Sequence, residues 1–245
     1  MKLFGVTDIG CHRKDNQDSY AIRELSDHAA VLVVCDGMGG AQAGSVASSV
    51  AVEAFTAAVE AEFSSGVHDD PEWREDVLAH ACEKANRQVY DLAQDNPEFQ
   101  GMGTTLVAIL ALPGESYVVN VGDSRCYLME NGMIRQVTVD HSLVQLLVER
   151  GEITAEEARV HPKKNLITRA LGVDRTVACD LLRVENGPGS RLLLCSDGLS
   201  NVLHDQVLLQ VSMEEAEPEG LCRRLLNMTL EQGAPDNVTV VLAQL

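Results

Sequence analysis

The stretch VLVVCDGMGG, Val31 to Gly40, runs five apolar residues into an Asp-Gly pair and then into more glycine. A short, continuous apolar run bounded by turn residues reads as a strand buried on both faces. The pattern returns at LLLCSDGLS, Leu192 to Ser200. One such pair is an ordinary turn. Two of them, each closing a buried strand, suggest that carboxylates are delivered to one place.

Working outward, KLFGVTD and DSYAIRE precede the first run and also read as strands. A helix is expected over about 41 to 63, where Val52, Phe55, Val59 and Phe63 recur at helical spacing. VHDDPEW reads as the next helix start, with Asp70 as cap and Pro71 at the first helical position. Trp73, Val77, Ala81, Ala85, Val89 and Leu92 then form one apolar stripe. From Thr104 strands dominate: TTLVAILAL, SYVVNVG, RCYLMENG and MIRQVTV, with Asn131-Gly132 as a hairpin turn. Residues 142 to 160 read as helical again, with Thr154 and Glu157 as a capping box. TVACDLLRVE and RLLLCSD return to strand. A helix near 218 to 232 stops at Gly233, and NVTVVLAQL closes as a strand. Short turns between strands predict antiparallel sheets, and the long, few helices predict an α+β layered fold. No Pro, Gly or Ser linker divides the chain. We expect one domain over 1–245, with a surface flap at about 140–165.

Lys and Arg number 19 against 37 Asp and Glu, a formal charge of −18. Nucleic acid is a poor partner for such a surface, because phosphate binding rests on basic side chains. No apolar run approaches the ~20 residues of a membrane span, and the first residues lack the apolar core of a secretory signal. We expect a cytoplasmic protein that does not insert into membranes. Seven scattered cysteines without a CxxC spacing argue against a zinc site or a disulfide framework. Cys35, Cys126 and Cys195 read as small buried hydrophobes.

Four acids abut predicted strands: Asp36, Asp123, Asp197 and Asp236. Each alone reads as a turn former. If they meet, they cannot all remain ionised without a cation. Only oxygen ligands are on offer, which favours Mg²⁺ or Mn²⁺ over Zn²⁺. Gly37 and Gly198 are expected to let carbonyls and solvent approach the metal.

The residues carry a resemblance. TDIGCHRKDNQDSY (7–20), VCDGMGG (34–40), GMGTTL (101–106), VGDSRCY (121–127), DHSLV (140–144), NLITRALG (165–172), LLCSDGLSN (193–201) and PDNVTVV (235–241) are similar, in order and spacing, to motifs of the metal-dependent protein serine/threonine phosphatases of the 2C type, in their bacterial catalytic-domain form. The resemblance implies an α-β-β-α sandwich of two mainly antiparallel sheets. It implies two Mn²⁺ or Mg²⁺ ions, and a third, weaker one. Asp36 would bridge two ions, the Gly37 carbonyl would bind one, and Asp197 with Asp236 the other. Asp123, with Asp197, would hold the third. Arg13 matches the clamp on the substrate phosphate, where a planar guanidinium suits two phosphoryl oxygens. The implied reaction is hydrolysis of phosphoserine and phosphothreonine in proteins by a metal-activated water, opposing a bacterial serine/threonine kinase. A monomer is expected.

Two departures stand out. Gln17 replaces the family's frequent Glu and brings no charge, while Asp18 remains as an acceptor for metal-bound water. Met38 stands where eukaryotic members often have His, and it cannot donate a proton. The flap holds a basic island, Arg159, His161, Lys163, Lys164 and Arg169, from which His161 is expected to contact substrate. A binding module without turnover and a phosphatase of small metabolites are the competing readings. No GxxxxGK[ST] loop supports nucleotide hydrolysis.

Overall fold

The computed structural model describes residues 1–40, 42–66 and 70–245. Residue 41, at the head of the helix expected over 41–63, and residues 67–69 of VHDDPEW lie outside them.

The strands in chain order are β1 (Lys2–Asp8), β2 (Asp18–Ser26), β3 (Ala29–Met38), β4 (Gly103–Thr104), β5 (Leu106–Ala111) and β6 (Glu115–Val121). They continue with β7 (Arg125–Glu130), β8 (Met133–Gln136), β9 (Asp180–Glu185), β10 (Arg191–Cys195) and β11 (Val238–Gln244). One sheet has the order β1-β11-β10-β7-β8 and the other β2-β3-β5-β6-β9, with β4 paired to the end of β3. Every pairing between named strands is antiparallel, as the short connections predict.

β3 shows why its run is apolar without alternation. Val31, Val33 and Cys35 face a cluster shared with two helices, whereas Ala30, Leu32 and Val34 face the other sheet. Full burial of each such Val or Leu contributes about 1.5–3 kcal/mol. The helices are α1 (Ala43–Ser65), which covers β3's outer face, and α2 (Pro71–Asp95), which packs against α1, β6 and β9. Asp70 caps α2 by accepting from the Glu72 N–H at 3.1 Å. Trp73 and Leu92 pack against the cluster that holds Val77, Ala81, Ala85 and Val89, so the stripe is the helix's inner face.

The opposite sheet is covered by helices that are shorter and more numerous than expected. α5 (Asp197–Ser200), α6 (Asp205–Glu214) and α7 (Pro218–Glu231) bury Leu199, Leu208, Val211, Leu221 and Leu225 against β10 and β11. The layers are therefore helix, sheet, sheet, helix.

The expected helix over 142–160 is two helices, α3 (Leu143–Glu149) and α4 (Ala155–Val160). Gly151 at φ 70 ends the first in the left-handed conformation that glycine permits. Thr154 then starts the second with both bonds of the capping box. Asn131 and Gly132 both have positive φ, 52 and 73, and form the two-residue hairpin between β7 and β8. β9 begins at Asp180, later than the TVACD start suggested.

Candidate active site

The four acids reach one end of the sandwich from both sheets. Asp36 comes from β3, Asp123 from the turn after β6, Asp197 from the start of α5 just after β10 and Asp236 from the turn before β11. All four line one cavity of about 220 Å³, together with Arg13 and Gly37. Gln17 and Thr105 lie on its wall, and Asn165 and Ile167 close it from the flap side.

Each acid is fixed by its local backbone. The Asp36 N–H donates to Thr105 Oγ1 at 2.9 Å, and its carbonyl accepts from the Thr104 hydroxyl at 2.9 Å. Asp197 opens α5, where Asn201 Nδ2 donates to its Oδ2 at 2.9 Å. Asp236 Oδ1 accepts from the Asn237 N–H at 2.8 Å. Asp18 pairs with Asp36 across β2 and β3. Its Oδ2 accepts from Ser196 and Thr239, both at 2.7 Å, which ties it to the opposite sheet.

The two glycines also meet a packing requirement. A Cβ on Gly37 would lie 2.0 Å from the Gly44 carbonyl oxygen, and one on Gly198 would lie 1.9 Å from the Asn237 carbonyl oxygen. What approaches closely is neighbouring backbone, so each glycine is required by packing of the chain that bears the acid.

Arg13 lies on the loop between β1 and β2. Its Nη2 donates to Asp236 Oδ2 at 2.7 Å, while its side chain stays half-exposed. Asn237 staples this loop. Its Nδ2 donates to the carbonyls of Ile9 at 2.8 Å and Asp15 at 3.1 Å, and its Oδ1 accepts from the Gln17 N–H at 2.8 Å. Inside PDNVTVV nothing local marks Asn237 as a staple rather than a turn residue.

The electrostatics follow from crowding. Burial pushes Asp36 well above the usual carboxylate range, and the negative charges of Asp18, Asp197, Asp123 and Asp236 add to it. Burial raises Asp123 too, followed by repulsion from Asp197 and Asp140. Burial and then Asp236 push Asp197 up to about 6, although a hydrogen bond with Asp36 and the charges of Lys164 and Arg13 pull it back. Asp18 is pushed up to about 7 by burial, against its hydrogen bonds from Ser196 and Thr239. Asp18 Oδ1 and Asp197 Oδ1 are buried without a hydrogen-bond partner.

Among the described residues, no three His, Cys, Asp or Glu side chains close on a single point as a metal cage. The donor set nevertheless fits hard cations. It is all oxygen, it is crowded with like charge, and it holds two orphaned carboxylate oxygens. A divalent ion would relieve both the repulsion and the unmet hydrogen-bonding capacity.

The flap carries the basic island on and after α4. His161 caps the end of α4, its Nδ1 accepts from the Lys163 N–H at 3.1 Å, and it does not line the cavity. Lys164 belongs to the same island. It lines a neighbouring cavity of about 300 Å³ that shares Asp123 and Asp197, and its charge acts on Asp197. Arg159 donates to the Ser200 carbonyl at 3.1 Å, and Arg169 pairs with Asp180 at 2.7 Å. Cys35 is buried and its thiol is pushed far up, which excludes a thiolate nucleophile there.

The model of the family described as protein phosphatase 2C matches residues 12–233. The serine/threonine phosphatase stp of Listeria monocytogenes is 36% identical over 239 residues, covering 97% of this chain and 93% of the relative. The serine/threonine protein phosphatase PstP of Mycobacterium tuberculosis is 39% identical over 247 residues, covering 99% of this chain and 45% of the relative. Among solved structures, a bacterial serine phosphatase superposes with a TM-score of 0.90 at 37% identity, covering 100% of this chain and 97% of that one. The catalytic domain of PstP in complex with two manganese ions gives a TM-score of 0.85 at 35% identity, covering 99% and 97%.

Proposed function

From the premise that the chain belongs to the protein phosphatase 2C family, whose members are metal-dependent protein serine/threonine phosphatases, we propose that it removes phosphate from phosphoserine and phosphothreonine in proteins at a centre of two Mn²⁺ or Mg²⁺ ions. The observation that carries this reading is the convergence of Asp36, Asp123, Asp197, Asp236 and Arg13 on one cavity. Residues 1–245 act as one catalytic domain with residues 140–165 as its flap. The opposing enzyme is a bacterial serine/threonine kinase. Among the described residues no helix is long and apolar enough to cross a membrane, and the proposed location is the cytoplasm.

Asp36, the Gly37 carbonyl, Asp197 and Asp236 would hold the two ions, and Asp123 with Asp197 a third. When bound, such cations supply positive charge to the phosphoryl oxygens and lower the pKa of water. The remaining steps belong to side chains. Arg13, half-exposed at the cavity rim, swings its fork from Asp236 to two oxygens of the incoming phosphate and offsets their charge. Asp18, held at Oδ2 by Ser196 and Thr239, keeps Oδ1 free to accept a hydrogen bond from the attacking water. Gln17 lines the wall without charge, so one ion is held less tightly than with Glu there. Met38 also lines the cavity and holds no proton to give, so the leaving serine or threonine oxygen is protonated by water.

The deciding experiment measures phosphate release from phosphoserine, phosphothreonine and phosphotyrosine peptides with Mn²⁺, with EDTA, and with the Asp197→Ala variant. Metal-dependent release from the first two that the variant lacks supports the reading. Equal release by the variant, or none by the parent chain, overturns it.

A further inference from the structure

The candidate active site does not end at the acids. Its cavity shares Met38, Asn165 and Ile167 with an adjoining groove of about 460 Å³. That groove runs past Val173 and Val177 and is mostly apolar, with Val173 50% exposed and neighbouring Leu166 51% exposed. Through Thr176 and Val177 it meets a third cavity, of about 310 Å³, on the outer surface of α2.

The far end has a different character. His80, Lys84 and Arg87 project from α2 and Arg175 faces them from the loop before β9. All four are exposed, and Glu83 is the one carboxylate lining that cavity. Among the described residues, the ion pairs found do not include Lys84, Arg87 or Arg175. A chain with a formal charge of −18 has here gathered basic groups that its own acids do not neutralise.

The basic loop is also held in place. Asn86, buried on α2, donates from Nδ2 to the carbonyls of Asp174 at 3.1 Å and Arg175 at 3.2 Å, and its Oδ1 accepts from the Gly172 N–H at 2.8 Å. Arg175 is therefore presented from a pinned backbone. Arg169, which also lines the groove, is paired with Asp180, so among the described residues along this path the unpaired basic groups are those at the α2 end.

We propose that this groove receives the polypeptide flanking the phosphorylated residue and that its α2 end binds an anionic side chain of the same segment, carboxylate or phosphate. The proposal rests on the phosphatase reading above and adds a substrate preference to it. Apolar residues of the segment lie over Val173 and Val177, and a distal acid meets Lys84, Arg87 and Arg175. Exposed ion pairs contribute modestly each, so three together should change KM by roughly tenfold.

The test compares phosphothreonine peptides that differ only in one residue, glutamate, a non-hydrolysable phosphonate analogue of phosphoserine, or alanine, scanned outward on either side of the phosphothreonine. It is run on the parent chain and on the triple variant Lys84→Glu, Arg87→Glu, Arg175→Glu, with p-nitrophenyl phosphate as a substrate too short to reach α2. The expected result is a roughly tenfold lower KM for an acidic residue at one distal offset, lost or reversed in the variant, with p-nitrophenyl phosphate turnover unchanged. Preference for the phosphonate with indifference to glutamate identifies a phosphate-like anion, and equal preference identifies charge alone. Turnover of all peptides without an offset preference, or a preference that survives in the triple variant, overturns the docking proposal and leaves the phosphatase reading intact. Metal-dependent turnover of p-nitrophenyl phosphate with no peptide hydrolysed overturns both.

Discussion

Arg13 Nη2 donates to Asp236 Oδ2 at 2.7 Å across 223 residues of sequence. The guanidinium that would grip phosphate is thus held beside an acid that would grip a cation. Arg13→Ala removes the fork and leaves Asp236 unpaired. We expect kcat/KM on a phosphothreonine peptide to fall by about 10²–10³-fold, the scale of losing one strong donor to a transition state. Mn²⁺ affinity should rise in the same variant, read by calorimetric titration. Arg13→Lys should recover only part of the turnover, because a point charge cannot bridge two oxygens.

Asp36→Asn and Asp197→Asn should each abolish metal-dependent turnover yet raise the melting temperature of the metal-free chain. The amide keeps the shape and removes one of several crowded charges. For a domain of this size each kcal/mol corresponds to about 2–4 °C. Thermal denaturation in EDTA measures it; a lower melting temperature in both variants would contradict the crowding described here.

The acids also set the pH dependence of the metal-free chain. The folded state raises Asp197 to about 6 and Asp18 to about 7, with Asp36 and Asp123 raised as well, against ordinary values near ~4. Between these limits the folded chain holds more protons than the unfolded one, so stability falls as pH rises from about 4 to about 7. In EDTA the melting temperature should decline across that window. In Mn²⁺ the decline should vanish or reverse, because the cation replaces the protons and binds better as they leave. Parallel melting curves with and without Mn²⁺ would count against the site.

Asn237→Ala removes the staple on the Arg13 loop. Three hydrogen bonds to residues 9, 15 and 17 are lost, and the carbonyls of Ile9 and Asp15 lose this partner. A cost of about 2–3 kcal/mol in urea denaturation is expected. Phosphopeptide KM should rise more than kcat falls, since the loop positions a binding group.

Gly198→Ala puts a methyl into the Asn237 carbonyl. Overpacking of this kind costs about 1–3 kcal/mol. It should also weaken metal binding, because the clash lies directly beside Asp197. By contrast Met38→His, at the open cavity wall, should fold normally and keep its metal affinity.

Much of the fold was legible in particular residues. The Val31–Cys35 run announced a strand covered on both faces, and Asn131-Gly132 announced a hairpin that the positive φ angles realise. Short helices were harder. α5 spans four residues, too few for a period, and α6 carries only Leu208 and Val211 as buried marks. At the site, the acids stood out because each ends or begins an apolar run. Asn237, Thr105, Asn165 and Lys164 did not, because their roles consist of contacts with distant segments.

The sequence by itself determined which segments are strands, which helices stripe their apolar faces inward, and which acids sit at rigid strand ends. Those are consequences of local periodicity and of backbone conformations open to particular residue types. Only the tertiary structure decided that Arg13 meets Asp236, that Asp18 is tied to Ser196 and Thr239, and that Lys164 lines a cavity with Asp123 and Asp197. Such partnerships join residues up to 223 positions apart, and they depend on how two sheets stack and on where backbones touch at Gly37 and Gly198. No local pattern encodes a distance across a packed interface.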